Sequence, residues 1–188
     1  VNLVGYSMGG PIIGGFAEKY SDQVKSLSFI APAGFGKVQT SFPFFMKIPG
    51  VIEWAMHVLA DRFYGSAISS ETTHSSDPLS INEEEFQRLF SFQVQFKGFR
   101  ESLASTMRNF NLFDARDMFE KVAAKNIPSI AIWGDNDGVV SYRGAETYSE
   151  IFHEGKVITI QDGTHDITYR QPSDVLEAIT IFLDSQIP

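Results

Sequence analysis

The chain has 188 residues, 43% of them hydrophobic and 20% charged, the composition of a soluble globular domain of ordinary size. A formal charge of −8, with no basic run, argues against a surface for the phosphate backbone, so no nucleic-acid partner is expected. There is no cysteine, which excludes disulfides, a cysteine nucleophile and zinc–thiolate sites. No stretch reaches the roughly 20 apolar residues of a membrane span.

The first element is a strand from Val1 to Tyr6. It runs into Gly5-Tyr6-Ser7-Met8-Gly9-Gly10, a Gly-x-Ser-x-Gly pattern that predicts a nucleophile elbow. In such a turn the serine stands between a strand and a helix N-terminus, where free amides can stabilise a developing oxyanion. A helix is expected from Pro11 to Tyr20 and a strand from Val24 to Ala31, ended by Pro32-Ala33-Gly34. The alternation then lapses between about Lys37 and Phe113. Within this stretch Val51–Phe63 reads as a helix with Ile52, Ala55, Met56 and Leu59 on one face, and Ser66–Ser80 as a polar loop. Asn82 and Glu85 resemble a capping box ahead of Phe86, Leu89, Phe90 and Gln93 at helical spacing. A further helix is expected from Gly98 to Phe110, with Leu103 and Met107 on one side. Alternation returns with a helix from Asp114 to Lys125 stopped by Asn126, and a strand at Ser129–Trp133. A helix at Ser141–Phe152 and a strand at Lys156–Ile160 follow. Ser173 is expected to cap the last helix, through Leu183, with Asp174 in its first turn.

Strands alternating with helices over short connections predict an α/β fold with a parallel sheet and right-handed crossovers. Residues 1–36 and 114–188 form its core, and 37–113 are a helical insert of the kind that makes a cap or lid. A strand like the first is normally central in such a sheet, and residue 1 is not Met. The chain is therefore expected to be the second half of a larger domain, truncated at its N-terminus.

Catalytic groups in a parallel α/β sheet lie just beyond the carboxyl ends of the strands. A serine hydroxyl needs a base, and four histidines are available. His57 falls in an insert helix, His74 in a polar loop, and His153 at a helix end, where a cation favours the dipole. His165 follows the strand ending at Ile160 and is the one the topology asks for. The orienting acid should follow Trp133, where Asp135 and Asp137 share one loop. Asp162 and Asp166 are rivals beside the histidine, although a residue adjacent to a histidine in sequence usually points elsewhere.

These pieces, Gly5-Tyr6-Ser7-Met8-Gly9-Gly10, Trp133-Gly134-Asp135-Asn136-Asp137 and Gly163-Thr164-His165, resemble the C-terminal portion of the α/β-hydrolase superfamily. Thr164 stands where that family often has Gly. The resemblance implies an α/β-hydrolase fold with a helical cap insertion, a Ser7–Asp137–His165 triad, and the Met8 amide as one oxyanion donor. It places the second donor in a loop after an earlier strand, ahead of Val1. Gln95–Arg100 and the helix after it are similar to cap segments of esterase-like and meta-cleavage-product hydrolases. The implied function is hydrolysis of a small, apolar ester or similar carbonyl substrate. The alternatives are carbon–carbon hydrolysis of a meta-cleavage product and a hydrolase-like protein that binds without turnover. Phe42, Phe44, Phe45, Phe86, Phe90, Phe92 and Phe96 in the insert suit either an apolar pocket or simple packing, and packing is the favoured reading. No metal, nucleotide or organic cofactor is implied, and no partner chain is specified.

Overall fold

A computed structural model describes residues 1–36, 50, 51, 54, 76–110 and 114–187. The expected helix at Val51–Phe63, most of the Ser66–Ser80 loop, Phe42, Phe44, Phe45, His57 and His74 fall wholly or mainly outside the described residues.

Four strands form one sheet: β1 (Asn2–Tyr6), β2 (Ser26–Ile30), β3 (Ser129–Gly134) and β4 (Lys156–Ile160). All neighbours are parallel, in the order β1-β2-β3-β4. β2 and β3 are buried along their whole length, as central parallel strands must be, which is why both read as apolar or small-residue runs. The register pairs Tyr6 with Ile30, Ile30 with Ile132, and Gly134 with Ile160, so the carboxyl ends of the strands lie side by side.

Side chains alternate across the sheet and feed two cores. On one face Leu27, Phe29, Ala131 and Trp133 pack with α1 (Gly9–Lys19), α4 (Arg116–Ala123) and α5 (Gly144–Ile151). Its centre is aromatic: Phe35 stacks on Phe119 with ring centroids 3.9 Å apart, and Phe29 meets Phe35, Phe119 and Tyr148 edge-on. Each such ring contributes about 1.5–3 kcal/mol by leaving water. On the other face Ile30, Ile130, Ile132 and Ile160 pack with α6 (Ile167–Arg170) and α7 (Pro172–Asp184). Among the described residues the other α-helices are α2 (Glu83–Gln93) and α3 (Phe99–Asn109).

The chain divides into two compact units, Val1–Lys37 with Asp77–Leu79 and Asn111–Pro188, and Val38–Ser76 with Ser80–Phe110. In the first, Phe35 and Asp114 pair as an antiparallel bridge and Ala115 N–H donates to Gly34 O at 2.8 Å. The two ends of the intervening segment are thereby tied together. In the second, Asn82 caps α2 by accepting from Glu85 N–H at 2.8 Å, as the capping-box spacing predicts.

Element ends differ from expectation by three residues at most, with physical reasons. α1 begins at Gly9 rather than Pro11, because the turn at Ser7 leads directly into the helix. Ser173 does not cap α7. Pro172 takes the first helical position, Gln171 precedes it without a side-chain cap, and Ser173 instead donates from its N–H and hydroxyl to the Asp77 carboxylate, each at 2.8 Å. α6, a single short turn, has no period for a sequence reading to detect.

Candidate active site

Ser7 follows β1 in a left-handed backbone conformation, φ 51°, uncommon for a residue with a side chain. Several hydrogen bonds hold it there. Ser7 N–H donates to Ile30 O at 2.9 Å, and its carbonyl accepts from Gly10 N–H and Ala33 N–H, both at 3.0 Å. The turn is so tight that a Cβ on Gly5 would stand 2.5 Å from Gly9 O, so only glycine fits. Met8 follows Ser7 at the N-cap of α1, where first-turn N–H groups lack intrahelical acceptors.

The loops after β3 and β4 are laced together. Asp135 N–H donates to Ile160 O at 3.2 Å and Asn136 N–H to Gly163 O at 2.9 Å. A Cβ on Gly134 would meet Gly163 O at 2.2 Å, so the two loops reach this spacing only through glycine. Trp133 Nε1–H donates to Val140 O at 2.9 Å and pins the far end of the first loop.

This scaffold brings Ser7, His165 and Asp137 into one hydrogen-bonded line. His165 Nε2 lies 2.9 Å from Ser7 Oγ, and His165 Nδ1 lies 2.8 Å from Asp137 Oδ2. The Asp137 side chain is fully buried and that of His165 is 14% exposed. The other Asp137 oxygen, Oδ1, accepts from Val139 N–H at 2.9 Å and Val140 N–H at 2.7 Å. Two backbone donors therefore fix which carboxylate oxygen faces the imidazole.

The rival acids lie elsewhere. Asp166 bonds Thr164 Oγ1 and accepts from Arg170 Nε at 3.1 Å. Asp162 occupies a turn at φ 54°. Asp135 has a buried Oδ1 with no hydrogen-bond partner. His153 is exposed just beyond α5. Sequence reading had assigned no task to Tyr6, which touches His165: its hydroxyl donates to His165 O at 2.8 Å and its ring stacks on the imidazole at 5.2 Å. Its place inside the Gly-x-Ser-x-Gly pattern was the only available signal.

Among the described residues no group of three or more His, Cys, Asp and Glu side chains is placed to hold a metal. No helix among them is long and apolar enough to cross a membrane. A cavity of about 760 Å³ lies at the opposite end of β3 and β4, lined by residues including Ser129, Lys156 and Phe182; none of Ser7, Asp137 and His165 lines it.

The family description "alpha/beta hydrolase fold" matches residues 1–171. With its parallel sheet and flanking helices, the chain belongs to the α/β-hydrolase superfamily. It is 27% identical to a lipase of Moraxella sp. (strain TA144), over 86% of this chain and 49% of the lipase. It is 25% identical to a monoacylglycerol lipase of Bos taurus, over 98% of this chain and 55% of that protein. Among solved structures it is similar to a bromoperoxidase from Bacillus anthracis, with a TM-score of 0.74 at 22% identity, covering 98% of this chain and 67% of that one. The chain thus spans about half the length of the curated relatives it matches.

Proposed function

We propose that the protein is a serine hydrolase acting on ester-type carbonyl substrates, with Ser7 as nucleophile, His165 as base and then acid, and Asp137 as the orienting carboxylate. The observation that carries this reading is the unbroken line from Ser7 Oγ through both ring nitrogens of His165 to Asp137 Oδ2. In the first step Ser7 Oγ bonds to the ester carbon and its proton passes to His165 Nε2. The Met8 N–H serves as one donor to the oxyanion. Collapse breaks the ester C–O bond, and the leaving alcohol takes the proton from Nε2. Water then attacks the acyl-enzyme, giving its proton to Nε2, and release of the acid returns that proton to Ser7. Asp137 holds the imidazole in the tautomer with Nδ1–H and stabilises the cation formed at each step.

The names of the two lipase relatives support an ester as the substrate class. We assign residues 37–113 as the cap insertion that selects the substrate. The Phe35–Asp114 bridge supports an insertion, since it ties the two ends of the segment together.

A fluorophosphonate probe and a panel of p-nitrophenyl esters test the proposal. The parent should be labelled and should turn over esters, and Ser7→Ala should lose both while keeping its fold by circular dichroism. Ester activity within tenfold of the parent in Ser7→Ala would remove Ser7 as nucleophile, since loss of a triad member costs on the order of 10⁴-fold or more. Cleavage of a dienone ring-fission product without ester turnover would favour carbon–carbon hydrolysis. Ligand binding without labelling or turnover would leave a non-catalytic binding protein.

A further inference from the structure

We infer that Tyr6 is a positioning residue for His165, setting the placement of the imidazole beside Ser7. This inference rests on the hydrolase reading above. Three observations carry it. The Tyr6 hydroxyl donates to the backbone carbonyl of His165 at 2.8 Å, so it holds the main chain that carries the base. The Tyr6 ring lies against the imidazole with centroids 5.2 Å apart and planes inclined by 29°. Tyr169 packs edge-on against the outer side of Tyr6 at 6.2 Å, which keeps that ring from swinging away.

The placement follows from chain order. Tyr6 immediately precedes Ser7 and is the last residue of β1, so the sheet that fixes the serine also fixes the group that holds its base. Burial, with Tyr169 adding to it, pushes the Tyr6 phenol well above its ordinary value. The hydroxyl therefore stays protonated, and a donor, across the pH range in which a histidine base operates. An aromatic face within about 6 Å attracts a cation, so the ring favours the imidazolium that His165 becomes when it takes the Ser7 proton. The titratable and charged groups around the imidazole are Asp137 on Nδ1, Tyr6 on its face, Tyr169 behind Tyr6, and Asp166 with Arg170 in the adjoining turn.

Two substitutions separate the hydroxyl from the ring. Tyr6→Phe keeps the ring and should lower kcat about three- to tenfold, the worth of one hydrogen bond, with KM unchanged. Tyr6→Leu removes both groups. Its kcat should fall further than that of Tyr6→Phe, with KM unchanged, because the imidazole loses the ring that packs against it as well as the hydroxyl. The NMR signal of the His165 Nδ1–H bonded to Asp137 should broaden in Tyr6→Leu, as the imidazole loses its support, and stay sharp in Tyr6→Phe. That measurement needs no turnover, so it tests the ring even if fluorophosphonate labelling shows that Ser7 is not the nucleophile. A parental kcat in Tyr6→Phe overturns the hydroxyl's part, and an unchanged Nδ1–H signal in Tyr6→Leu overturns the ring's part. If both variants lose only melting temperature, Tyr6 is a packing residue and the inference fails.

Discussion

Asp137 and Asp135 sit two positions apart in a loop of turn-forming residues, and the hydrogen bonds around them predict very different consequences of losing a charge. In Asp137→Asn the side-chain oxygen will keep the Val139 and Val140 amides, because only an acceptor suits two donors. Its NH₂ must then face His165 Nδ1, which forces the imidazole into the tautomer that presents Nε2–H to Ser7. Turnover should fall about 10⁴-fold, the loss known for the wrong tautomer in such a triad. Asp135→Asn should leave turnover nearly unchanged, since neither of its oxygens meets His165 and one of them is buried without a partner. Steady-state ester hydrolysis by both variants checks the pair, and equal losses would mean that the Asp137 geometry does not govern the histidine. From residue type and topology alone, Ser7 and His165 were each a single choice, whereas the two aspartates could be told apart only by family spacing. What separates them physically is the set of loop contacts, among them Asn136 N–H to Gly163 O and the two amides on Asp137 Oδ1. The first joins residues remote in sequence; the other two are local to the turn, but a loop with two aspartates does not show which of them takes those amides.

At the level of elements, every strand and α-helix among the described residues except α6 was legible, because each carries an apolar run or a helical period, whereas the 3₁₀ turn at Ser21–Gln23 is too short to show one. Asn126, expected to stop α4, lies at φ 54°, the left-handed conformation in which helices often end. The start of α7 was misread because its capping group comes from 96 residues away: Asp77 accepts from both Ser173 N–H and Ser173 Oγ–H. Burial alone would push the Asp77 carboxyl up, but hydrogen bonds from Leu79 N–H and from Ser173 outweigh it and hold the group below its ordinary value of 3.8. The sign of the pH effect follows. A carboxylate depressed on folding stabilises the fold fully above its unfolded value, and that contribution is lost as pH falls through the folded value. Asp77→Asn should therefore melt below the parent at neutral pH, and the gap should narrow as pH drops through and below 3.8. Thermal unfolding of both proteins across that range measures it. A gap that stays constant with pH would assign the effect to shape rather than to charge.

At the scale of the whole molecule, alternation of strand and helix implied a parallel sheet, but not which strands would be neighbours, since adjacency depends on how the two cores close. Among the described residues the observed order leaves β1 at one edge of the sheet. That edge is apolar where exposed edges are usually guarded by charge or proline: Val1 and Val4 are 61% and 49% exposed, and Ile12 on α1 is 53% exposed. The residues of β1 carry no charge, and their outer backbone groups can template another strand. Residues 1–188 expressed alone should therefore associate as concentration rises. Val4→Lys should reduce that association, because a charge on a half-exposed edge position opposes edge-to-edge pairing and removes little buried apolar area. Sedimentation velocity over a concentration series, with melting temperatures as the control for folding, decides the matter. The expected result is a sedimentation coefficient that climbs with concentration in the parent and climbs less in Val4→Lys, at similar melting temperatures. A parent that stays monomeric throughout would show that the β1 edge is no liability. Equal association in the two proteins would place the sticky surface elsewhere, the exposed Leu176 and Ile181 of α7 being the next apolar groups to test.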